Sequence, residues 1–590
     1  MPEQDQRKEL VLHGIAASPG VAHGPAFLFM HGEVEVPKYA VSEDSQDAEV
    51  KRFEEALLIT RRQIERIRSD VSQNLGEEEA AIFDAHMLVL EDQALIDDVV
   101  VQIRETGDNV EQCLHRVSLR YLKFFDQLSD QYLRERASDL RDVMRRLLQN
   151  LLGATASGTA FFEEPRVLAA DDLTPSDAAS LDREKVLGIA TDGGGRTSHA
   201  VIMARSSEIP AVVGVRGLTA ELRDGDVLLL DGFEGTVVIN PSPQTLYRYG
   251  KVSLRRKRLR ALINEESALP AGTSDGHGLV VMANADSPEE VERSVRKGAA
   301  GVGLFRTEAL FLRGRAMPTE EVQFEHYKAV VEGADSLPVT IRTLDLGGDK
   351  IIDGASDFKE GNPFMGFRAI RYCLQNIDVF LAQLRAILRA SEHGKVRIMF
   401  PMVSGVGEIL SAGKLVEEAK AQLREKGQSF DPDVPVGCMI ETPSAVTICD
   451  FLADHVDFFS IGTNDLVQYM LAVDRINNQI AYLYEPHHPA VLRALLHVCK
   501  VGNEKDVEVA VCGEIAGDIH YVPLLMGLGV RELSMASALI SEVKFFSRRF
   551  SLAEARELKD EVLKMSRPSQ ILKRIKDFHD EKMAGLSLGD

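Results

Sequence analysis

The run Gly193-Gly194-Gly195-Arg196-Thr197-Ser198-His199 puts an imidazole within one turn of a helix start, behind three glycines. Glycine lets the backbone turn through positive φ and approach an anion closely, Thr197 or Ser198 can cap the helix, and the free N–H groups of the first turn point at negative charge. A histidine so placed suits carrying a phosphoryl group. An ordinary surface cap is the alternative, because helix starts use Gly and Ser routinely, and the rest of the chain decides between the two.

A second set of chemically capable side chains lies in the C-terminal half. Glu441 and Asp465 are hard oxygen donors without a histidine or thiolate companion, which suits Mg2+ completed by water and ligand oxygens; structural salt bridges are the alternative. Arg306, Arg342 and Arg475, with Arg368 and Lys350 nearby in sequence, offer donors to phosphate and carboxylate. Each such contact is worth up to ~4 kcal/mol at about 4 Å in an effective dielectric near 20. Cys512, in Val511-Cys512-Gly513-Glu514, has a reference pKa of about 8.5, so its thiol is mostly protonated at neutral pH and can donate a proton. A buried structural cysteine is the alternative there, and it is the reading for Cys113, Cys373, Cys438, Cys449 and Cys499.

The elements that must position these groups are legible as apolar patterns. After residue 270, eight β-like segments (278–284, 299–305, 339–345, 396–402, 435–440, 457–461, 508–512 and 530–534) alternate with helical or loop stretches, which predicts a (β/α)8 barrel. Arg306, Arg342, Glu441, Asp465 and Cys512 fall at or near the carboxyl ends of those segments, and in a barrel those ends share one mouth. Short β-like segments between Arg166 and Ile239 predict a compact α/β domain, with His199 on a helix spanning Ser198 to Ser207. Apolar residues at helical spacing from about Ser42 to Leu152 predict a helical bundle, and Glu77, Glu78, Glu79 and Asp84 read as a solvated first turn, with a docking surface as the alternative. Leu10 to Phe29 reads as a pair of brief strands without a core of their own, so they are expected to pair with the α/β domain and make the bundle an insertion.

The expected organisation is thus a multidomain α/β chain. N-terminal strands (1–40) belong to the histidine-bearing α/β domain (153–243), a helical domain (41–152) is inserted between them, a charged linker helix (244–270) follows, and the barrel occupies 271–590. With 590 residues, the chain is too long for one core. Its 68 Lys and Arg against 91 Asp and Glu give a net charge of −23, which argues against nucleic acid and anionic membrane and favours a basic protein partner. A polyanionic ligand must then be held by a local arginine cluster. No apolar run is long enough for a membrane span, the first residues lack a secretory signal's apolar core, and no C-x-x-C spacing suggests zinc or disulfides, so a cytoplasmic protein is expected.

A histidine that accepts phosphate, a barrel suited to Mg2+ and a small phosphorylated acid, and a thiol able to protonate carbon point together to transfer of a phosphoryl group from phosphoenolpyruvate to His199. The motifs then resemble enzyme I of the phosphoenolpyruvate-dependent phosphotransferase system over nearly the whole chain. They are Gly194-Gly195-Arg196-Thr197-Ser198-His199, Gly303-Leu304-Phe305-Arg306-Thr307-Glu308, Arg342-Thr343-Leu344-Asp345, Ile440-Glu441-Thr442-Pro443, Gly462-Thr463-Asn464-Asp465 and Cys512-Gly513-Glu514. The resemblance implies that His199 is phosphorylated, that Cys512 is the acid, and that Glu441 and Asp465 bind Mg2+. It implies phosphoenolpyruvate contacts at Arg306, Arg342, Asn464, Asp465 and Arg475, a homodimer through the barrel, and a small HPr-type histidine phosphocarrier docking on the helical domain. Tyr484-Glu485-Pro486-His487-His488-Pro489 looks more like the nitrogen-related branch, and both sugar and nitrogen-related branches stay open. A pyruvate phosphate dikinase or phosphoenolpyruvate synthase relative, and a non-catalytic regulatory phosphoprotein, are the alternatives. No G-x-x-x-x-G-K-[ST] loop serves the former.

Overall fold

The computed structural model describes residues 8–30, 36–74, 77–126, 131–153, 164–179, 181–182, 185–195, 199–206, 209–223, 225–312, 317–347, 362–475, 477 and 479–584. Two compact units divide the chain, Met1–Arg256 and Lys257–Asp590, with the boundary inside the helix Pro243–Glu265.

In the first unit, α1 (Gln46–Asn74), α2 (Glu77–Leu90), α3 (Gln93–Thr106), α4 (Val110–Asp126) and α5 (Gln131–Leu151) form a bundle. Its core is built from apolar residues at helical spacing, among them Phe53, Ile64, Phe83, Val99, Ile103, Leu114 and Leu147. Asp92 caps α3 by accepting from the N–H groups of Ala94 and Leu95, and Gly107 ends the helix at φ 65°. The side chains of Glu77, Glu78 and Glu79 lie outside the described residues; Asp84 accepts from Arg68 Nε at 2.6 Å.

The rest of this unit is an eight-stranded sheet of β1 (Leu10–His13), β2 (Ile15–Ser18), β3 (Val21–Phe29), β4 (Arg166–Ala170), β5 (Val186–Thr191), β6 (Ala211–Val213), β7 (Val227–Asp231) and β8 (Thr236–Ile239), in the order β1-β8-β7-β3-β4-β5-β6-β2. The opening segment makes three strands, where the sequence pattern predicts two. Gly14 explains the difference: its N–H donates to Gly235 O at 2.8 Å, and a Cβ there would stand 2.6 Å from Val213 O. Only glycine lets the chain cross from β8 to β6 in one residue. Since β1 and β2 form the two ends of the sheet and only Gly14 separates them, the sheet curls until its edges meet. The bundle leaves the sheet after β3 and returns into β4, two strands that pair in parallel.

The second unit is a closed barrel of eight parallel strands: β9 (Val280–Ala285), β10 (Val302–Phe305), β11 (Val339–Arg342), β12 (Val396–Phe400), β13 (Val436–Ile440), β14 (Phe458–Ile461), β15 (Glu508–Val511) and β16 (Glu532–Ala536). Leu304, Met399, Met439, Phe458 and Cys512 form a small buried cluster of their own. The larger core includes Phe305, Tyr327, Phe380, Phe400 and Phe546. Among the described residues no helix is long and apolar enough to cross a membrane.

The helix Pro243–Glu265 is tied at each end to a different unit. Glu9 accepts from Ser242 N–H at 2.5 Å and from Thr245 Oγ1 at 3.0 Å. Just beyond the other end, Glu266 takes Arg549 Nη2 at 2.5 Å, Arg549 Nη1 at 2.8 Å and Arg548 Nη2 at 2.9 Å. Hydrogen bonding from Arg549, and with it Arg548, holds the Glu266 carboxyl down at about 2 against the opposing effect of burial. A depressed carboxyl contributes stability above its ordinary pKa of 4.5 and loses it as pH falls toward about 2. Glu266→Gln should therefore lower the unfolding midpoint of the C-terminal unit above pH 4.5, and the gap from the unsubstituted chain should close near pH 2, as read by calorimetry across that range.

Candidate active site

In the N-terminal unit, β5 runs into the glycine loop. Gly193 N–H donates to Asp171 O at 2.8 Å, Gly193 O accepts from Gly214 N–H at 2.9 Å and from Thr191 Oγ1 at 2.7 Å, and Gly194 takes φ 89°. Asp192 anchors the loop from the other side by accepting from Leu218 N–H at 2.6 Å. The helix that follows, His199–Ser206, opens on His199. Arg196, Thr197, Ser198 and the His199 side chain lie outside the described residues, as does Lys350.

The barrel brings the remaining candidates to one rim through strand register. Ile440 pairs with Ile461 and Ile461 with Val511, so the residues that follow, Glu441, Gly462 and Cys512, leave the sheet at the same level. A Cβ on Gly462 would stand 2.6 Å from Glu441 Oε2, so the small residue leaves room for the carboxylate across the neighbouring strand end. Asn464 and Asp465 sit in the first turn of the helix Thr463–Leu471. The Asn464 amide is used on both sides: Nδ2 donates to Glu514 Oε1 at 3.2 Å, and Oδ1 accepts from Glu514 N–H at 2.9 Å.

The basic groups interleave with acidic ones. Arg342, the last residue of β11, reaches Glu308 at 2.8 Å and Asp345 at 2.9 Å. Arg368 binds the same Asp345 at 2.7 Å and faces Asp465 at 4.0 Å, and Arg475 faces Asp465 at 3.8 Å. Arg306 stands further out, half exposed, 3.3 Å from Asp286. Burial works against the charge of Arg342, but Glu308, Asp345 and Glu441 outweigh it and raise its pKa. Glu441 shows the reverse balance: burial, then Asp345 and Asp465, push its carboxyl up to about 8 despite Arg342 and the Met402 N–H that it accepts at 2.6 Å.

Among the described residues Asp465 Oδ1 is buried without a hydrogen-bond partner, and burial, with Asp345 and Asp465 beside it, disfavours the charged form of Glu441. A hard divalent cation between Glu441 and Asp465 would relieve both, so this pair fits a cation. Among the described residues no third His, Cys, Asp or Glu completes a cage, and the other positions would fall to water and ligand oxygens.

Cys512 is buried at the rim, with its Sγ 3.6 Å from Ile461 O and its carbonyl accepting from Asn284 Nδ2 at 3.0 Å. The six cysteines are all free and buried, so the position of Cys512 beside Glu441, Arg342 and Arg306 is what sets it apart.

Three family models divide the chain in the order of these elements: "PEP-utilising enzyme, N-terminal" over residues 13–136, "PEP-utilising enzyme, mobile domain" over 162–235, and "PEP-utilising enzyme, PEP-binding domain" over 260–551. A phosphoenolpyruvate-protein phosphotransferase of Priestia megaterium is 42% identical over 96% of this chain and 99% of its own length. The chain belongs to the phosphoenolpyruvate-protein phosphotransferase family. Relatives of that name from Bacillus subtilis, at 40% identity, and Haemophilus influenzae, at 41%, likewise align over 96% of this chain and 99% of their own.

In this member of the phosphotransferase family, the rim gathers Arg342, Glu441, Asn464, Asp465, Arg475 and Cys512, with Arg306 at its exposed edge. Sequence reasoning underrated Asp345, Arg368, Glu308 and Asp286. Asp345 stood in the quoted Arg342-Thr343-Leu344-Asp345 run, but nothing in spacing says that one carboxylate will bridge two arginines 26 residues apart. Burial, reinforced by Glu441, pushes the Cys512 thiol up to about 11 against the opposing influence of the Ser460 hydroxyl and the two arginines. Alkylation at Cys512, followed by mass spectrometry of its peptide, should still be accelerating at pH 10; a plateau by about pH 9 would contradict it.

Proposed function

We propose that the chain accepts the phosphoryl group of phosphoenolpyruvate on His199 and passes it to a histidine of a small HPr-type phosphocarrier, releasing pyruvate. This would be the first step of a sugar or nitrogen-related phosphotransferase system. What supports the reading is the meeting of basic, carboxylate and thiol groups at one barrel rim in a chain of this family, while the helix His199–Ser206 begins on a histidine behind a fixed glycine loop.

Arg306, Arg342, Asn464 and Arg475 would bind the substrate's phosphate and carboxylate, with Asp345 and Glu308 holding the Arg342 fork in place. Glu441 and Asp465 would hold Mg2+, which when bound neutralises phosphoryl oxygens. An imidazole nitrogen of His199 forms the new bond to phosphorus as the bridging P–O bond breaks, and that electron pair becomes the enolate of pyruvate. The buried thiol of Cys512, still protonated at neutral pH, gives its proton to the enolate carbon and is reprotonated from water. His199 must serve the rim and then the carrier, so the helix tied at Glu9 and Glu266 is assigned the role of hinge.

The carrier would dock on the helical bundle, where Leu58, Ile59, Leu88 and Leu119 are exposed, and the net charge of −23 favours a basic partner. A cytoplasmic homodimer through the barrel completes the reading; Met365, Phe451 and Tyr482 are large apolar groups left in solvent on that unit.

Incubation with labelled phosphoenolpyruvate and Mg2+ should put acid-labile phosphate on His199, and His199→Ala should take up none. Cys512→Ala should lower pyruvate formation by about 10²-fold or more, the usual scale for loss of a general acid. Label retained on the His199→Ala chain would refute the assignment.

A further inference from the structure

The segment Tyr484–Pro489 has no part in the reaction as described, yet one of its side chains, Tyr484, reaches the rim. Tyr484 is half buried, and its hydroxyl donates to the backbone carbonyl of Asn464 at 3.2 Å. The same hydroxyl is in electrostatic contact with the Arg475 guanidinium. Arg475 needs such support: its backbone N–H donates to Gln468 Oε1 at 3.3 Å, but among the described residues its buried Nη1 has no hydrogen-bond partner, and its Nη2 stands 3.8 Å from Asp465. Arg475 follows the helix Thr463–Leu471, whose first turn carries Asn464 and Asp465. Tyr484 thus touches both ends of the stretch that bears three candidate substrate or metal contacts.

The base from which Tyr484 acts is itself fixed. The buried His487 pairs through Nδ1 with Tyr521 Oη at 2.9 Å, and Tyr521 immediately precedes the helix Val522–Leu528. His488 caps the helix Pro489–Lys505 by accepting from Ala490 N–H at 3.2 Å. Two anchored histidines therefore hold the chain just behind the tyrosine, and the hydroxyl is presented to Asn464 and Arg475 by a rigid strap.

We propose that Tyr484 is a positioning residue for substrate binding, fixing the Asn464 backbone and the Arg475 guanidinium so that both meet the phosphorylated acid without reordering. The inference rests on the substrate role given above to Asn464 and Arg475. Groups held in place before the ligand arrives lower the cost of binding it, and a contact of this kind acts equally on ground and transition states. It changes KM and leaves kcat nearly untouched.

Tyr484→Phe removes the hydroxyl and keeps the ring. In the full chain with Mg2+ and carrier, KM for phosphoenolpyruvate should rise about three- to tenfold, the scale of one net hydrogen bond, with kcat within about twofold. The thermal midpoint should not move. His487→Gln, which loosens the strap but leaves Tyr484 in place, should raise KM in the same direction by less. An unchanged KM in Tyr484→Phe overturns the inference, and so does a fall in kcat together with the thermal midpoint, which marks a merely structural tyrosine. The unsubstituted chain assayed in parallel separates the two readings: if it takes no label from phosphoenolpyruvate the parent function fails, whereas a labelled chain with an indifferent Tyr484→Phe sinks this inference alone.

Discussion

Asp345 carries the rim. Its side chain is almost fully withdrawn from water and binds two largely buried guanidinium groups, Arg342 at 2.9 Å and Arg368 at 2.7 Å, which would otherwise repel each other. Removing one partner of a buried pair costs about 3–5 kcal/mol, because the charge left behind has lost its water. The same economy extends outward, with Glu308 on Arg342 and Asp465 facing Arg368 and Arg475. A strongly acidic protein can in this way present a locally basic surface to an anion, since the acidic partners hold the arginines in place without covering every donor; among the described residues Arg342 Nε and Arg475 Nη1 have no hydrogen-bond partner.

The barrel makes this arrangement affordable to a chain of ordinary composition. Parallel strands send the same end of every segment to one face, so Arg306, Arg342, Glu441, Asp465 and Cys512 need only occur at strand ends to become neighbours. Fine adjustment comes from small residues and turns. Gly462 makes room for the Glu441 carboxylate, and the reciprocal pair of Asn464 with Glu514 ties the loop after β14 to the loop after β15. In the other unit a different parallel stretch, β3-β4-β5-β6, sends its glycine loop toward a helix start, which is the same strand-to-helix logic used for a single histidine.

Much of this was legible in the residue order. Eight apolar segments with chemical residues at their ends announced the barrel, and the glycine run announced the histidine-bearing helix, because hydrophobic periodicity and glycine both act locally. The third opening strand was not legible: Leu10 to Phe29 breaks into three only because Gly14 must clear Val213 and reach Gly235, partners about 200 residues away. The acidic residues behind the arginines were equally hidden, since Asp286, Glu308 and Asp345 differ from solvated surface acids only in what folds against them. Tyr484 stood out in sequence as a branch marker, and its contact with the Asn464 carbonyl emerges only from the fold.

The central claim is that one barrel rim holds a divalent cation on Glu441 and Asp465 and a phosphorylated acid on the arginines beside them. The most direct test is a crystal of the chain soaked with Mn2+ and phosphoenolpyruvate, read by anomalous scattering. The account predicts an anomalous peak between the Glu441 and Asp465 carboxylates, with the phosphate against Arg306, Arg342 and Arg475. Manganese bound elsewhere, or phosphoenolpyruvate ordered away from those arginines, would contradict it.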